Sequence, residues 1–157
     1  MVQGLQAVYD AEQQGVEGAQ GIADAVTSPE LKQEMQQGLD QTRNNLIPRL
    51  EQALEQAGAG TERVPNEIMK GILSVGKKIQ TETSEPAVRD AGIIASAQIA
   101  MHYYIAAYGT LGAHAQTLGV TEVAQLCEQT VKEFKERDEK LTKIAEQVVN
   151  QQAQAAS

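Results

Sequence analysis

Two carboxylates stand where a helix would bury apolar side chains. Glu12 lies within the stripe Leu5, Val8, Tyr9, Val16, Ala19, Ile22 and Val26, and Asp138 within Val123, Leu126, Thr130, Phe134, Leu141, Ala145 and Val148. Both stripes step by three and four residues, the repeat of one helix face. A carboxylate removed from water without a partner is costly. Glu12 is therefore expected to be a hydrogen-bonded buried acid, with Gln41 and Tyr104 as its donors. Asp138 and the nearby Glu133 are expected to form salt bridges to Lys or Arg on a neighbouring helix. The run Lys132, Glu133, Lys135, Glu136, Arg137, Asp138, Glu139 and Lys140 otherwise reads as a solvated face whose close-spaced ion pairs are each worth little. His102 reads as a packed or boundary histidine, and His114, without a local partner, as a surface one. Met101, Tyr104 and Tyr108 read as core, and Cys127 as a small buried residue. No Cys–His–acid arrangement supports a nucleophile.

These residues need long helices to hold them. The first runs from Val2 to Val26. Thr27-Ser28-Pro29-Glu30 then gives a capping serine, a first-turn proline and an acid at the positive helix end. The second helix is predicted from Pro29 to Ala57 on the stripe Leu31, Met35, Leu39, Thr42, Leu46, Leu50, Ala53 and Ala57. Pro48 should kink it, because proline removes a backbone donor. Gly58-Ala59-Gly60 ends it. Residues 61–84 form a connection in which Pro65 opens a short helix carrying Ile68, Met69, Ile72, Leu73, Val75 and Ile79. Ser84-Glu85-Pro86 starts a third long helix, which ends near Leu118 with Gly119 as its stop. Thr121 is expected to cap a fourth, reaching about Val149. The expectation is all-α: a ferritin-like four-helix bundle over residues 1–149, with a short fifth helix in the crossover between the second and third long helices. Residues 150–157 are expected to form a flexible Gln/Ala-rich tail.

Bulk properties narrow the function. The 157 residues suit one domain, and 41% apolar with 22% charged residues is an ordinary globular mixture. With no Trp and one Phe, the core must be built from Ala, Leu, Ile and Val, which lets helices approach closely. A net charge of −8 disfavours nucleic acid and anionic lipid, both of which are held by Lys and Arg. No window approaches the roughly 20 apolar residues of a spanning helix. Met1 to Asp10 lacks the basic segment and apolar run of a secretory signal. Cys127 stands alone, so an internal disulfide is impossible, and a cytoplasmic location is expected.

Several segments, in order and nearly spanning the chain, resemble the YciE/YciF group of ferritin-like proteins. They are Val8 to Gln14, Ser28 to Lys32, Pro86 to Ala91, Ala97-Gln98 with His102-Tyr103 and Ile105 to Leu111, and Thr130 to Glu133 with Asp138 and Leu141. The resemblance implies a stress context, a homodimer and a carboxylate-bridged two-metal centre. Such a centre needs several anionic oxygens to offset the repulsion of two cations, plus imidazole nitrogen. On this resemblance Glu12, Glu133, Asp138 and His102 are remnant metal-ligand candidates. Gly38 and Gln41 stand where the family has His and Glu, and Met101 and Tyr104 where it has two acids. The expected reading is a non-enzymatic stress-associated protein acting through dimerisation or protein contacts, with no cofactor. The alternative is an iron- or manganese-binding oxidase or peroxide-detoxifying protein.

Overall fold

Each helix end is set by a local signal. In the computed structural model, which describes residues 1–156, α1 spans Val2–Asp24 and α2 spans Pro29–Gln41. Between them the Ser28 hydroxyl accepts from the Leu31 amide, and the Asp90 carboxylate gathers the Thr27 amide (3.0 Å), the Thr27 hydroxyl (2.7 Å) and the Ser28 amide (2.7 Å). The connection is thus closed by an acid from another helix as well as by its own cap.

The second long helix carries a π turn, Thr42–Leu46, and continues as α3, Ile47–Gln56. The kink expected at Pro48 takes this form. The Ile47 amide reaches back five residues to Thr42, so one wide turn lies just ahead of the residue that cannot donate. Gly58 closes α3 at φ +66. Asn66, not Pro65, caps α4 (Glu67–Glu82), its side chain accepting from the Met69 amide at 2.9 Å. The third long helix, α5, spans Pro86–Thr117. Gly119, at φ +71, then allows the Val120 amide to bond Ala115 and its own amide to bond Gln116, satisfying the last carbonyls. Thr121, expected as a cap, is instead the first residue of α6 (Thr121–Ile144). Val120 comes straight out of the preceding turn, and its carbonyl accepts from Ala124.

A second π turn, Ala145–Val149, shifts the apolar register by one residue. Val149 is therefore fully buried in place of the expected Val148. The chain continues as α7, Asn150–Ala156, so the Gln/Ala-rich end is helical over these residues and lies against α5. Ser157 lies outside the described residues.

The result is a ferritin-like four-helix bundle with α4 as the short helix of the crossover. Helix α4 packs on α1 and α5. Small residues allow this approach: a Cβ at Gly76 would meet the Ile22 side chain at 2.9 Å, and one at Gly18 would meet Leu73 at 3.0 Å. The core divides in two. One part centres on Leu5, Leu50, Tyr108 and Phe134, the other on Ile22, Leu31, Ile93 and Leu141, with Met101 packed against both.

Candidate functional site

The centre of the bundle is organised around Glu12 and Arg137. Glu12 on α1 is 1% exposed. The Tyr108 hydroxyl donates to its Oε1 at 3.1 Å. Tyr104, on the same face of α5, donates to the Ala11 carbonyl at 3.0 Å and stacks on Phe134 with ring centroids 4.5 Å apart. Gly15 leaves room for that hydroxyl, since a Cβ there would lie 3.1 Å from it. Burial pushes the Glu12 carboxyl up to about 8, with the charge of Arg137 and the hydroxyls of Tyr108 and Tyr104 pulling the other way.

Arg137 belongs to the run expected to be a solvated face, and it corrects that expectation. Its guanidinium turns inward, 5.4 Å from the centre of the Phe134 ring. It fills the space left by Gly38: a Cβ there would stand 1.9 Å from Nη2. Burial draws its pKa down, against the attraction of Glu12 and Glu34. The network expected around Glu12 therefore keeps Tyr104 and changes its other members. Tyr108 is its direct donor and Arg137 its neighbouring cation, while Gln41 is only partly buried and does not contribute to it.

The other candidates lie elsewhere. Glu133 takes both its oxygens to Arg49 Nη2 on α3, at 2.8 and 3.1 Å, the salt bridge expected of it. Asp138 faces the exposed His102, with Oδ2 3.4 Å from Nε2, while its Oδ1 is buried without a hydrogen bond. Its partner is thus a histidine on α5 and not Lys or Arg. His102 is a surface residue on that helix, not a packed one. Among the described residues, no three His, Cys, Asp or Glu side chains gather in a group that could hold a metal ion. Cys127 is buried, which lifts its thiol to about 11 and makes it a poor nucleophile.

A second polar cluster ties the crossover to α1. Asp10, also buried, accepts from Arg63 Nε (2.6 Å), the Asn66 amide (2.7 Å) and Gln14 Nε2 (2.6 Å). Asn66 donates in turn to the Ala7 carbonyl and the Tyr103 hydroxyl. Sequence reasoning missed both this cluster and Arg137. Asp10 carried no signal: two residues from the inward Glu12, it lies on the far side of the helix, a face that is solvated unless the crossover covers it. For Arg137 the signal was the pairing of a glycine with a long cation on facing helices, which no single helix pattern reveals.

Along the remaining length of the seam runs a cavity of about 120 Å³, lined mainly by apolar side chains of α1, α2, α4 and α5, with Glu12, Glu34 and Arg137 at its polar wall. Among the described residues, no helix is long and apolar enough to cross a membrane.

Comparison with known proteins gives a consistent picture. Residues 1–154 match the family described as Domain of unknown function (DUF892). Protein YciF of Escherichia coli (strain K12) is 34% identical over 151 residues, which is 96% of this chain and 90% of that protein. The crystal structure of the E. coli stress protein YciF superposes with a TM-score of 0.89 at 33% identity, covering 95% of this chain and 94% of that one. YcfI from Rhodopseudomonas palustris, described as a candidate structural protein, gives a TM-score of 0.85 at 31% identity over 88% of each chain.

Proposed function

The chain belongs to the DUF892 family, the family of YciF, and on that footing we propose that it is a stress-associated cytoplasmic protein that works through dimerisation or protein contacts, not catalysis. One observation carries the reading: a guanidinium occupies the heart of the bundle. A pair of divalent metals needs several inward anionic oxygens. Here the centre offers Glu12, with Glu34 drawn towards Lys140 at the edge, beside a permanent cation, Arg137, and no side chain at position 38. Glu133 is engaged by Arg49 at the periphery. These residues do not fit a two-metal centre.

The contact role draws support from α4 and α5. Ile68, Val75 and Ile99 are each at least half exposed on these adjoining helices, apolar surface that a second copy of the chain would cover.

A rival reading, an iron- or manganese-binding oxidase or peroxide-detoxifying protein, has one observation in its favour: the unpartnered buried Oδ1 of Asp138 beside His102. Anaerobic loading with Fe(II), followed by measurement of bound metal and oxygen-dependent oxidation, separates the two. The proposal expects no stoichiometric uptake. About two ions per chain with rapid oxidation would overturn it. Introducing acids at Gln41, Met101 and Tyr104 together with Arg137→Ala should raise uptake. No gain would contradict the placement of the lost site.

A further inference from the structure

The cavity and the cation beside it belong together. The cavity lies at the seam between the two halves of the core, where Met101 touches both. Its walls are mainly apolar, with Arg137, Glu12 and Glu34 its charged residues and Thr42, Ser96 and Tyr104 its neutral polar ones. Glu34 is drawn to Lys140, 3.8 Å away at the edge of the bundle. Glu12 is held by Tyr108. Among the described residues no carboxylate forms a salt bridge with Arg137, which packs between the face of Phe134 and the bare backbone of Gly38. A guanidinium carries five N–H donors in a planar fork suited to a carboxylate. Here that fork sits on the wall of an apolar chamber.

We propose that this cavity binds a short-chain monocarboxylate, with its carboxylate on Arg137 and its alkyl tail among Val16, Ile72, Leu73 and Met101. Size sets the chain length. A dry apolar cavity of about 150 Å³ in another protein holds benzene. The volume here, about 120 Å³, suits an acid of roughly four to six carbons. The proposal rests on the reading that Arg137, not metal, occupies the centre. It does not depend on the dimer or the stress role.

The test is calorimetric titration of the full chain with sodium valerate in EDTA, with acetate and pentanol as controls for tail and charge. EDTA removes any contribution from metal, so a negative result leaves the Fe(II) experiment to judge the metal reading separately. The expected result is saturable binding of one valerate per chain, with acetate and pentanol each at least about tenfold weaker. Arg137→Gln should weaken valerate by a similar factor. Ala100→Leu, which fills the cavity and leaves the cation in place, should abolish binding even if Arg137→Gln fails to fold. Absence of saturable valerate binding would overturn the proposal. So would equal affinity for pentanol, or valerate affinity unchanged in Ala100→Leu.

Discussion

Asp10 and Glu12 stand two residues apart on α1, both buried, yet their carboxyls are pulled in opposite directions. Burial raises both. At Asp10 the hydrogen bonds from Arg63, Gln14 and Asn66, with the charge of Arg63, outweigh it, and the group lies below the ordinary carboxylate range. At Glu12 burial wins, and the carboxyl rises to about 8. Both are nearly closed to solvent, 5% against 1% exposed, but Glu12 lies at the bundle centre and Asp10 near the surface beside the partly exposed Arg63, so depth contributes to the divergence as well as donors. Asp10 has three at 2.6–2.7 Å, whereas Glu12 has the Tyr108 hydroxyl at 3.1 Å and a cation at longer range. The two helix faces accordingly have different uses. Asp10 fastens the crossover, while Glu12 leaves charge at the centre incompletely settled.

Replacing Glu12 should give the largest effect. Its folded-state pKa lies above the ordinary value of 4.5, so the folded protein holds a proton that the unfolded chain has released. Stability should fall as pH rises from about 4.5 to about 8, by at most roughly 1.4 kcal/mol per pH unit. Glu12→Gln should flatten that dependence and be more stable than the parent at pH 7, by roughly 2 kcal/mol, as measured by urea unfolding across the range. A variant with the parent's slope would break the comparison.

Asp10 should show the reverse sense. Its stabilising effect is present above the unfolded-state pKa and is lost as pH falls through that range. Asp10→Ala leaves the buried Asn66 amide without an acceptor and should cost roughly 2 kcal/mol at pH 7. The ion pair with partly exposed Arg63 adds little to that figure. Faster amide exchange confined to residues 61–70 would sharpen the assignment, and unchanged exchange there would contradict it. Tyr108→Phe should cost about 1 kcal/mol and push the Glu12 carboxyl higher still. Arg49→Met, at the peripheral pair with Glu133, should cost less than about 1 kcal/mol.

The scaffold was legible because its signals are local. Ser28-Pro29, Gly58, Pro86 and Gly119 mark helix ends through backbone chemistry that needs no tertiary information. The stripes placed Leu5, Leu31, Leu50, Tyr108 and Phe134 in the core correctly. Registers slipped where a π turn added a residue, as at Val149, because the 3.6-residue repeat holds only while the helix stays regular. The site was half legible. Glu12 stood out as an acid within an apolar stripe. Arg137 did not, because a long side chain on a charged face can turn inward when the facing helix presents glycine. Gln41 looked like a donor from its face alone, but the distance across the bundle is set by packing that no single-helix pattern contains.

Glu12 as a buried acid beside a resident cation can be tested directly. Its carboxyl carbon can be followed by ¹³C NMR in protein labelled at glutamate, with Glu12→Gln identifying the resonance. The expected midpoint is near 8, moving upward in Arg137→Met as the opposing charge is removed. A midpoint near 4.5, unmoved by Arg137→Met, would contradict it.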